Sequence, residues 1–294
     1  MLKAYWWKPL SDHSAYYGVL KSETKLLSLR SLQRNFGDEL TKLVLEQVDP
    51  TFQPIWTPPE FANFFGIGSI LNKALRRGKS TNIVIWGSGL RQPLQPSERT
   101  LDDRFKILAL RGKRTAYELA FRDEIPLGDP ALLVQSMRIN SRIANIEKLF
   151  IPHFSFLNQR KSLFFLQQLK NRGYKVMYPF EDPYKIIDAI GSSKVVVSSA
   201  LHCLIVADAL GIPSVRFRDQ NESETNFKFE DYHSAIDDSS GWLELDALDL
   251  AEKLGVQEHI FQEATYRVNN LTPRITQTVN EIKSVIIDWK YRTE

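Results

Sequence analysis

The stretch Lys194–Phe217, KVVVSSALHCLIVADALGIPSVRF, decides the fold of this chain. It opens on three consecutive valines, and such a continuous β-branched run is typical of a strand buried in a parallel sheet. Ser198 and Ser199 break the run with hydroxyls suited to capping a helix. A helical pattern follows and ends at a glycine and a proline, after which residues 214–217 resume a strand pattern. A strand, a helix and a strand in this order predict a parallel sheet with a right-handed crossover.

His202 is the candidate functional residue of this unit. It lies in the first turn of the predicted helix, 200–210, at the carboxyl end of the preceding strand. Open α/β sheets bind ligands at that edge, and a helix N-terminus there offers free N–H groups and a positive dipole end to a phosphate or carboxylate. A histidine beside a bound anion is a candidate general acid. The alternative is a histidine of the surface or core that simply begins a helix.

Length and composition indicate a globular protein of two domains. The chain has 294 residues, of which 43% are hydrophobic and 25% charged, enough for a sizeable buried core. The 38 basic and 35 acidic residues give a net charge of +3. Because this charge is nearly balanced and no long basic run occurs, we expect no nucleic-acid partner.

Cysteine content and hydropathy bear on the compartment. Cys203 is the single cysteine, which excludes an internal disulfide and fits a reducing compartment. The N-terminal residues lack the apolar core of a signal peptide, and no apolar run reaches the ~20 residues needed to span a bilayer. We therefore expect a cytoplasmic protein. This expectation is compatible with peripheral contact with the inner face of a membrane.

Two loops in the first part of the chain place glycine beside polar side chains. Asn35-Phe36-Gly37-Asp38 precedes a helical pattern. Asp38 either caps that helix or belongs to a ligand loop in which Gly37 permits close approach. The strand that ends at Trp86 runs into Gly87-Ser88-Gly89, which is either a plain turn or part of a site.

Strand and helix patterns alternate in both halves of the chain, with a polar connection over 135–147. We predict an α/β protein of two doubly wound, Rossmann-like domains that face a cleft, 1–140 and 141–294. The segment 11–34 has no clear period and is predicted to be a loop that can include a short helix. An amphipathic helix over 275–289 is predicted to pack across the two domains.

Nine short pieces, in order and over most of the chain, resemble the polysaccharide pyruvyl transferase family, in particular the ketal pyruvate transferases of bacterial exopolysaccharide synthesis. The pieces are Trp6-Trp7, Asn35-Phe36-Gly37-Asp38-Glu39-Leu40, Gly68-Ser69-Ile70-Leu71, Trp86-Gly87-Ser88-Gly89, Ala109-Leu110-Arg111-Gly112, Leu127-Gly128-Asp129-Pro130-Ala131-Leu132, Ile151-Pro152-His153, Ser198-Ser199-Ala200-Leu201-His202 with Ala207 and Gly211-Ile212-Pro213, and Lys228-Phe229-Glu230-Asp231-Tyr232.

The resemblance implies a two-domain fold like that of the GT-B glycosyltransferases. It implies transfer of pyruvate from phosphoenolpyruvate onto two hydroxyls of a sugar, which gives a cyclic ketal and free phosphate. Acceptors in the family are typically glycans, often carried on a membrane lipid. The family commonly has Arg-Leu-His where this chain has Ala200-Leu201-His202. The histidine matches and the arginine does not, so another cation is expected to hold the donor.

On this basis we assign candidate roles. The catalytic candidates are His202, as acid, and Asp38, as base toward a sugar hydroxyl or as orienter of the acceptor. The candidates for donor binding are Ser198, Ser199, Leu201, Arg216, Lys228 and Arg111. The candidates for acceptor binding or for the loops around it are Asn35, Gly37, Gly68, Ser69, Gly87, Ser88, Gly89 and His153. No cluster with metal-ligand spacing occurs in the sequence, so we expect neither an obligatory metal nor another cofactor.

Two other functions fit the same pattern. A nucleotide-sugar glycosyltransferase of this architecture would bind a nucleotide diphosphate at the same helix N-terminus. A non-catalytic glycan-binding relative is made conceivable by Ala200 and would release no phosphate from phosphoenolpyruvate. Without the resemblance, the residues alone indicate an α/β protein that binds an anion.

Overall fold

A computed structural model describes the chain over residues 2–8, 34–98, 101–137, 145–158, 161–218, 226–252 and 258–293. The predicted loop 11–34 lies outside these residues apart from Arg34, and so does 138–144 of the predicted connection. Below, the N-terminal half means the described residues up to 137, and the C-terminal half means those from 145 onward.

The N-terminal half is built on a sheet of five parallel strands. The strands are β1 (Leu2–Tyr5), β2 (Pro54–Trp56), β3 (Phe64–Phe65), β4 (Ile83–Trp86) and β5 (Phe105–Ala109). Their spatial order is β2-β1-β3-β4-β5. The direction of winding therefore reverses between β1 and β3, and such a reversal is where open α/β sheets bind ligands, at the carboxyl ends of the strands.

The C-terminal half repeats this topology with a second parallel sheet. Its strands are β6 (Ile146–Ile151), β7 (Tyr174–Val176), β8 (Ser193–Ser198), β9 (Ser214–Phe217) and β10 (Glu244–Leu245). The spatial order is β7-β6-β8-β9-β10. If the strands of each sheet are numbered from that sheet's own first strand, the two orders are the same. The winding of this sheet reverses between β6 and β8. The α/β class with two parallel sheets is thus confirmed.

The helices cover both faces of the two sheets. The α-helices of the described residues are α1 (Phe36–Val48), α2 (Leu71–Arg77), α3 (Lys113–Glu118), α4 (Ser162–Asn171), α5 (Pro183–Gly191), α6 (Leu201–Ala209), α7 (Phe227–Ala235), α8 (Ala247–Glu252) and α9 (Glu258–Thr293). The 3-10 helices are Pro96–Glu98, Pro130–Ser136 and Phe154–Asn158.

The unit that decides the fold forms as predicted, as β8, α6 and β9. Val195 and Val197 pack into one hydrophobic cluster and Val196 into another, so β8 is buried on both faces. This burial explains the uninterrupted valine run, because a strand covered on both sides has no position that favours a polar residue. Gly211 follows α6 with a φ of +70°, the left-handed conformation expected at a helix end.

Helix α9 joins the two halves and is longer than the 275–289 prediction. It begins in the C-terminal half, where Arg267 pairs with Asp208 of α6. It continues through Pro273 to the N-terminal half, where the backbone carbonyl of Ile282 accepts a hydrogen bond from the indole of Trp86 (2.9 Å). The described helices include none that is both long and apolar enough to cross a membrane.

A second connection between the halves is a buried ion pair. Arg111, just after β5, donates from Nε to the carboxylate of Asp231 in α7 at 2.9 Å, and neither side chain is exposed. Thr115 of α3 donates to the same carboxylate through its backbone N–H and its hydroxyl. Because removing charges from water is costly, such a pair persists only with its hydrogen bonds satisfied, as they are here.

Helix α7 and three shorter elements were not predicted from the pattern. The edge strands β2 and β10 are three and two residues long, and helix α2 is seven. Elements this short contain too few residues to show a period.

Candidate functional site

The carboxyl ends of the two sheets meet where each sheet reverses its winding. Trp7 follows β1 and Phe154 follows β6, and their rings contact edge to face with centroids 5.9 Å apart. The backbone N–H of Phe36, at the start of α1, donates to the carbonyl of Pro179 in the C-terminal half. The candidate site is this junction, and it takes residues from both halves.

Ser198, the last residue of β8, and Ser199, the next residue, connect neighbouring strands instead of capping α6. The hydroxyl of Ser198 donates to the carbonyl of Ile151 in β6 (2.6 Å), and the hydroxyl of Ser199 accepts the N–H of His153 (2.7 Å). The N-cap of α6 is Ala200, whose side chain makes no capping bond. The capping expected of the serines is therefore wrong, because their hydroxyls satisfy the backbone at the β6–β8 edge.

Helix α6 presents its first turn to the junction. Leu201 and His202 begin the helix, and N–H groups of a first turn have no partner within their own helix. With no capping side chain at Ala200, these donors and the positive end of the helix dipole suit a phosphate or carboxylate. Leu201 is buried and packs into the core, so it could serve a ligand through its backbone.

His202 lies between residues of the N-terminal half. On one side is Gly37 of α1, where an added Cβ would come within 2.1 Å of Nδ1. On the other side is Asp129, whose Oδ2 is 3.7 Å from Nε2. The side chain of His202 is 14% exposed. Close approach of α1 to the ring thus requires glycine at position 37.

Asp38 is a buried carboxylate in the first turn of α1. The helix begins at Phe36 and its N-cap is Asn35, so the interpretation of Asp38 as N-cap is wrong. Asn35 instead donates its amide to Asp38. Burial raises the pKa of Asp38 to about 6, against the opposing charges of His202 and Lys228 and the hydrogen bond from Asn35. A carboxyl that titrates near neutral pH can act as a general base.

The predicted site residue Lys228 lies near this carboxylate, and its positive charge also acts on a second predicted site residue, His153. Lys228, at the start of α7, is 5% exposed and is close enough to Asp38 and His153 for its charge to affect both pKa values. Burial, followed by the charges of Lys228, Arg91 and His202, lowers the pKa of His153 well below its ordinary range. His153 therefore stays neutral at pH 7, while the positive charges around it suit an anion.

The two predicted arginines hold other groups of the protein. Besides Asp231, Arg111 donates to the hydroxyl of Ser69 (2.7 Å) and to the carbonyl of Leu90. Arg216 is 4% exposed and pairs with Glu244 through Nη1 (2.7 Å). Donor binding by either guanidinium stays a prediction; in this structure Arg111 connects the two halves, whereas Arg216 pairs within the C-terminal half.

The glycine loops after β3 and β4 lie at the carboxyl ends of these strands, on the N-terminal side of the junction. Gly68 has a φ of +122°, and a Cβ there would come within 3.2 Å of Asp38 Oδ1. The hydroxyl of Ser88, between Gly87 and Gly89, donates to the carbonyl of Gly68 (3.1 Å). The loop after β3 therefore brings its backbone against Asp38, and the role of both loops toward an acceptor stays a prediction.

Asp129 is a residue of the junction to which sequence reasoning gave no role. It belongs to the quoted Leu127–Leu132 piece, but Asp-Pro at a turn is ordinary capping chemistry, so the motif gave no signal of contact with His202. Among the described residues, no group of three or more His, Cys, Asp or Glu side chains is arranged to hold a metal ion.

Comparison with known proteins adds a family and a relative. A sequence model of the family described as polysaccharide pyruvyl transferase matches residues 26–221. The succinoglycan biosynthesis protein ExoV of Rhizobium meliloti (strain 1021) is 27% identical over 203 residues, which are 69% of this chain and 61% of that protein. The chain thus spans less than two thirds of the length of this curated relative. The family match includes Asp38, Asp129 and His202.

Proposed function

Because this chain belongs to the polysaccharide pyruvyl transferase family, we propose that it moves a pyruvyl group from phosphoenolpyruvate onto two hydroxyls of one sugar and releases phosphate. The acceptor would be a bacterial polysaccharide or its lipid-linked precursor. The similarity to a protein named for succinoglycan biosynthesis supports a glycan acceptor. We place the reaction in the cytoplasm or at the inner face of the membrane.

We infer that the junction between the halves is a cleft of the GT-B kind. The C-terminal half would hold the donor and the N-terminal half the acceptor. The matching topology of the two sheets and the meeting of their carboxyl ends support this arrangement.

The chemistry requires a proton on the methylene carbon of the donor and two new C–O bonds at its neighbour. The first sugar hydroxyl adds to the carbon that bears the phosphate, while the methylene becomes a methyl group. The second hydroxyl then displaces phosphate, which leaves with the remaining proton equivalent. One acid, one base and a binding site for two anionic groups are therefore needed.

The residues of the junction can fill these roles. His202 would donate the proton or assist the departure of phosphate. Asp38, with a pKa of about 6, would accept a proton from a sugar hydroxyl. The first turn of α6 and Lys228 would bind the carboxylate and phosphate, so that Lys228 supplies the charge that Ala200 lacks. No step requires a metal or another cofactor.

The observation that carries the proposal is the close contact of Gly37 with His202. It brings Asp38, the next residue of α1, to the same place as the first turn of α6. An acid candidate and a base candidate from different halves thus share one junction.

Ligand binding gives the first test. In a thermal-shift titration, a ligand at about 100 times its dissociation constant adds about 2.7 kcal/mol to stability, or several degrees for a chain of this size. We expect a shift with phosphoenolpyruvate. A shift with nucleotide sugars alone would favour a glycosyltransferase.

Turnover gives the second test. The protein is incubated with phosphoenolpyruvate and a panel of p-nitrophenyl hexosides, and phosphate release is measured beside the product mass. We expect a product heavier than the acceptor by pyruvate less one water. A protein that binds glycans but releases no phosphate would instead support a non-catalytic relative. This outcome requires that neither free acceptors nor lipid-linked acceptors extracted from membranes give phosphate release.

A further inference from the structure

Asp129 and His202 face each other through polar atoms that have no hydrogen-bond partner in the described structure. Asp129 is the N-cap of the 3-10 helix Pro130–Ser136, and its Oδ1 accepts the N–H of Ala131 at 2.9 Å. This bond fixes the orientation of the carboxylate. Its other oxygen, Oδ2, is 3.7 Å from Nε2 of His202, and each of these two atoms is buried without a hydrogen-bond partner in the described structure.

Buried polar atoms that lack a partner are uncommon because each costs free energy. Here each atom is the other's complement, and 3.7 Å is a few tenths of an ångström longer than a hydrogen bond. The 3-10 helix packs directly on α6, so a small tilt of the ring closes the gap. An ionised carboxylate only accepts hydrogen bonds, so the proton between the two atoms must reside on Nε2.

We propose that Asp129 is a positioning residue, which holds His202 in the Nε2–H tautomer and leaves Nδ1 as the nitrogen that exchanges a proton with the substrate. Nδ1 is on the side of the ring that faces Gly37, the neighbour of Asp38 in α1. The tautomer is a property of the resting protein. Only the part that concerns the substrate rests on the proposed function.

The variant Asp129→Asn separates charge from capping. The amide oxygen can keep the bond to the N–H of Ala131, while the amide nitrogen becomes a donor toward Nε2. An acceptor at Nε2 requires the proton on Nδ1, which is the opposite tautomer. We therefore expect a loss of roughly 10²–10⁴-fold in kcat with little change in KM for phosphoenolpyruvate.

The tautomer is measured by nitrogen NMR on the full chain labelled with ¹⁵N-histidine, with the His202 signals assigned by comparison with His202→Gln. We expect the Nε2–H pattern for the neutral ring in the wild type and the Nδ1–H pattern in Asp129→Asn. An Nδ1–H pattern in the wild type would overturn the proposal, and so would an unchanged pattern in a folded Asp129→Asn. Because the wild-type spectrum decides by itself, the test survives a variant that does not fold.

The kinetic arm uses Asp182→Asn as the matched control. Asp182 is also an N-cap, with its carboxylate accepting the N–H groups of Tyr184 and Lys185 in α5. We expect full turnover for this control and the loss in kcat for Asp129→Asn alone. Unchanged kcat in a folded Asp129→Asn would overturn the positioning role. A wild type without pyruvyl transfer would count against the proposed function, whereas the NMR result would still decide the tautomer.

Discussion

Gly37 of α1 lies so close to the imidazole of His202 in α6 that a methyl group on it would come within 2.1 Å of Nδ1. Real Cβ atoms do not approach other atoms this closely, so a side chain at position 37 must displace the ring or the helix. The two residues come from different sheets. Their contact makes the two halves contribute to a single site.

Gly37→Ala is expected to remove activity. Alanine is favoured over glycine within a helix by about 1 kcal/mol, so without the contact the variant would be stabilised. Because the added methyl group would collide with His202, we instead expect Gly37→Ala to lower the free energy of unfolding by roughly 1–3 kcal/mol, as is typical of overpacking. We also expect a loss of turnover. Urea unfolding and the phosphate-release assay measure the two effects.

The matched control for this prediction is the double variant Gly37→Ala/His202→Ala. With the ring absent, the added methyl group loses its main clash, although the Cβ of residue 202 stays about 3.0 Å away. The free-energy cost of Gly37→Ala should therefore be smaller in the His202→Ala background, with a coupling of roughly 0.5–3 kcal/mol. Equal costs in both backgrounds would contradict the contact.

His202→Ala is expected to lower turnover by at least about 10²-fold, the lower end of the contribution of a placed acid or base. The side chain is partly exposed and its Nε2 lies 3.7 Å from Asp129 Oδ2, longer than a hydrogen bond, so we expect the fold to survive its removal. The thermal midpoint should thus change by no more than a few degrees. Near-normal turnover in this variant would remove His202 from the mechanism.

Asp38→Asn should change how stability depends on pH. The folded protein raises the pKa of Asp38 from 3.8 to about 6. Between these values the unfolded chain releases the proton and the folded protein keeps it, so this carboxyl makes the wild type less stable as pH rises. Asparagine does not titrate, so the variant does not lose stability in this way as pH rises. We expect the variant to gain roughly 2–3 kcal/mol relative to the wild type between pH 4 and pH 7.

Urea unfolding over this pH range measures the gain, and Asp102→Asn is the control. Arg104 lowers the pKa of Asp102 below 3.8, so the relative stability of that variant should change mainly below pH 4 and stay nearly constant between pH 4 and pH 7. If the Asp38→Asn difference stays constant with pH, Asp38 is not a carboxyl with a raised pKa.

Arg111→Met should be strongly destabilising, because it leaves the carboxylate of Asp231 buried without its cation. Loss of one partner of a buried pair costs roughly 3–5 kcal/mol. Lys113→Met provides the comparison, since Lys113 pairs with Asp237 on the exposed surface of the same interface and should cost less than about 1 kcal/mol. Similar costs for the two variants in urea unfolding would refute the structural role of Arg111.

Lys228→Met should raise KM for phosphoenolpyruvate by roughly 10–100-fold, as expected for loss of a charge-assisted hydrogen bond. Since the charge of Lys228 lowers the pKa of Asp38, that pKa should also rise. The pH dependence of stability then extends to higher pH, which urea unfolding detects without any assay of activity. An unchanged KM would place the donor elsewhere, and Lys113→Met again serves as control.

Much of the fold follows from local sequence. The valine run of β8, the first turn of α6 and the glycine after it are recognisable because strands buried on both faces and helix ends restrict residue type. Repetition of such units predicts two parallel sheets, as observed. The edge strands β2 and β10 were missed because two or three residues show no period and their pairing depends on a neighbouring strand.

The sequence by itself determined the two-sheet α/β architecture, the family pattern, and His202 and Asp38 as candidates. Only the tertiary structure decided which groups meet. Asp129 comes to face His202, Arg111 is occupied by Asp231, and Ser198 and Ser199 connect strands instead of capping a helix. The reason is physical: residue type and local spacing set the backbone conformation, whereas contacts between residues far apart in the chain depend on how the two halves pack.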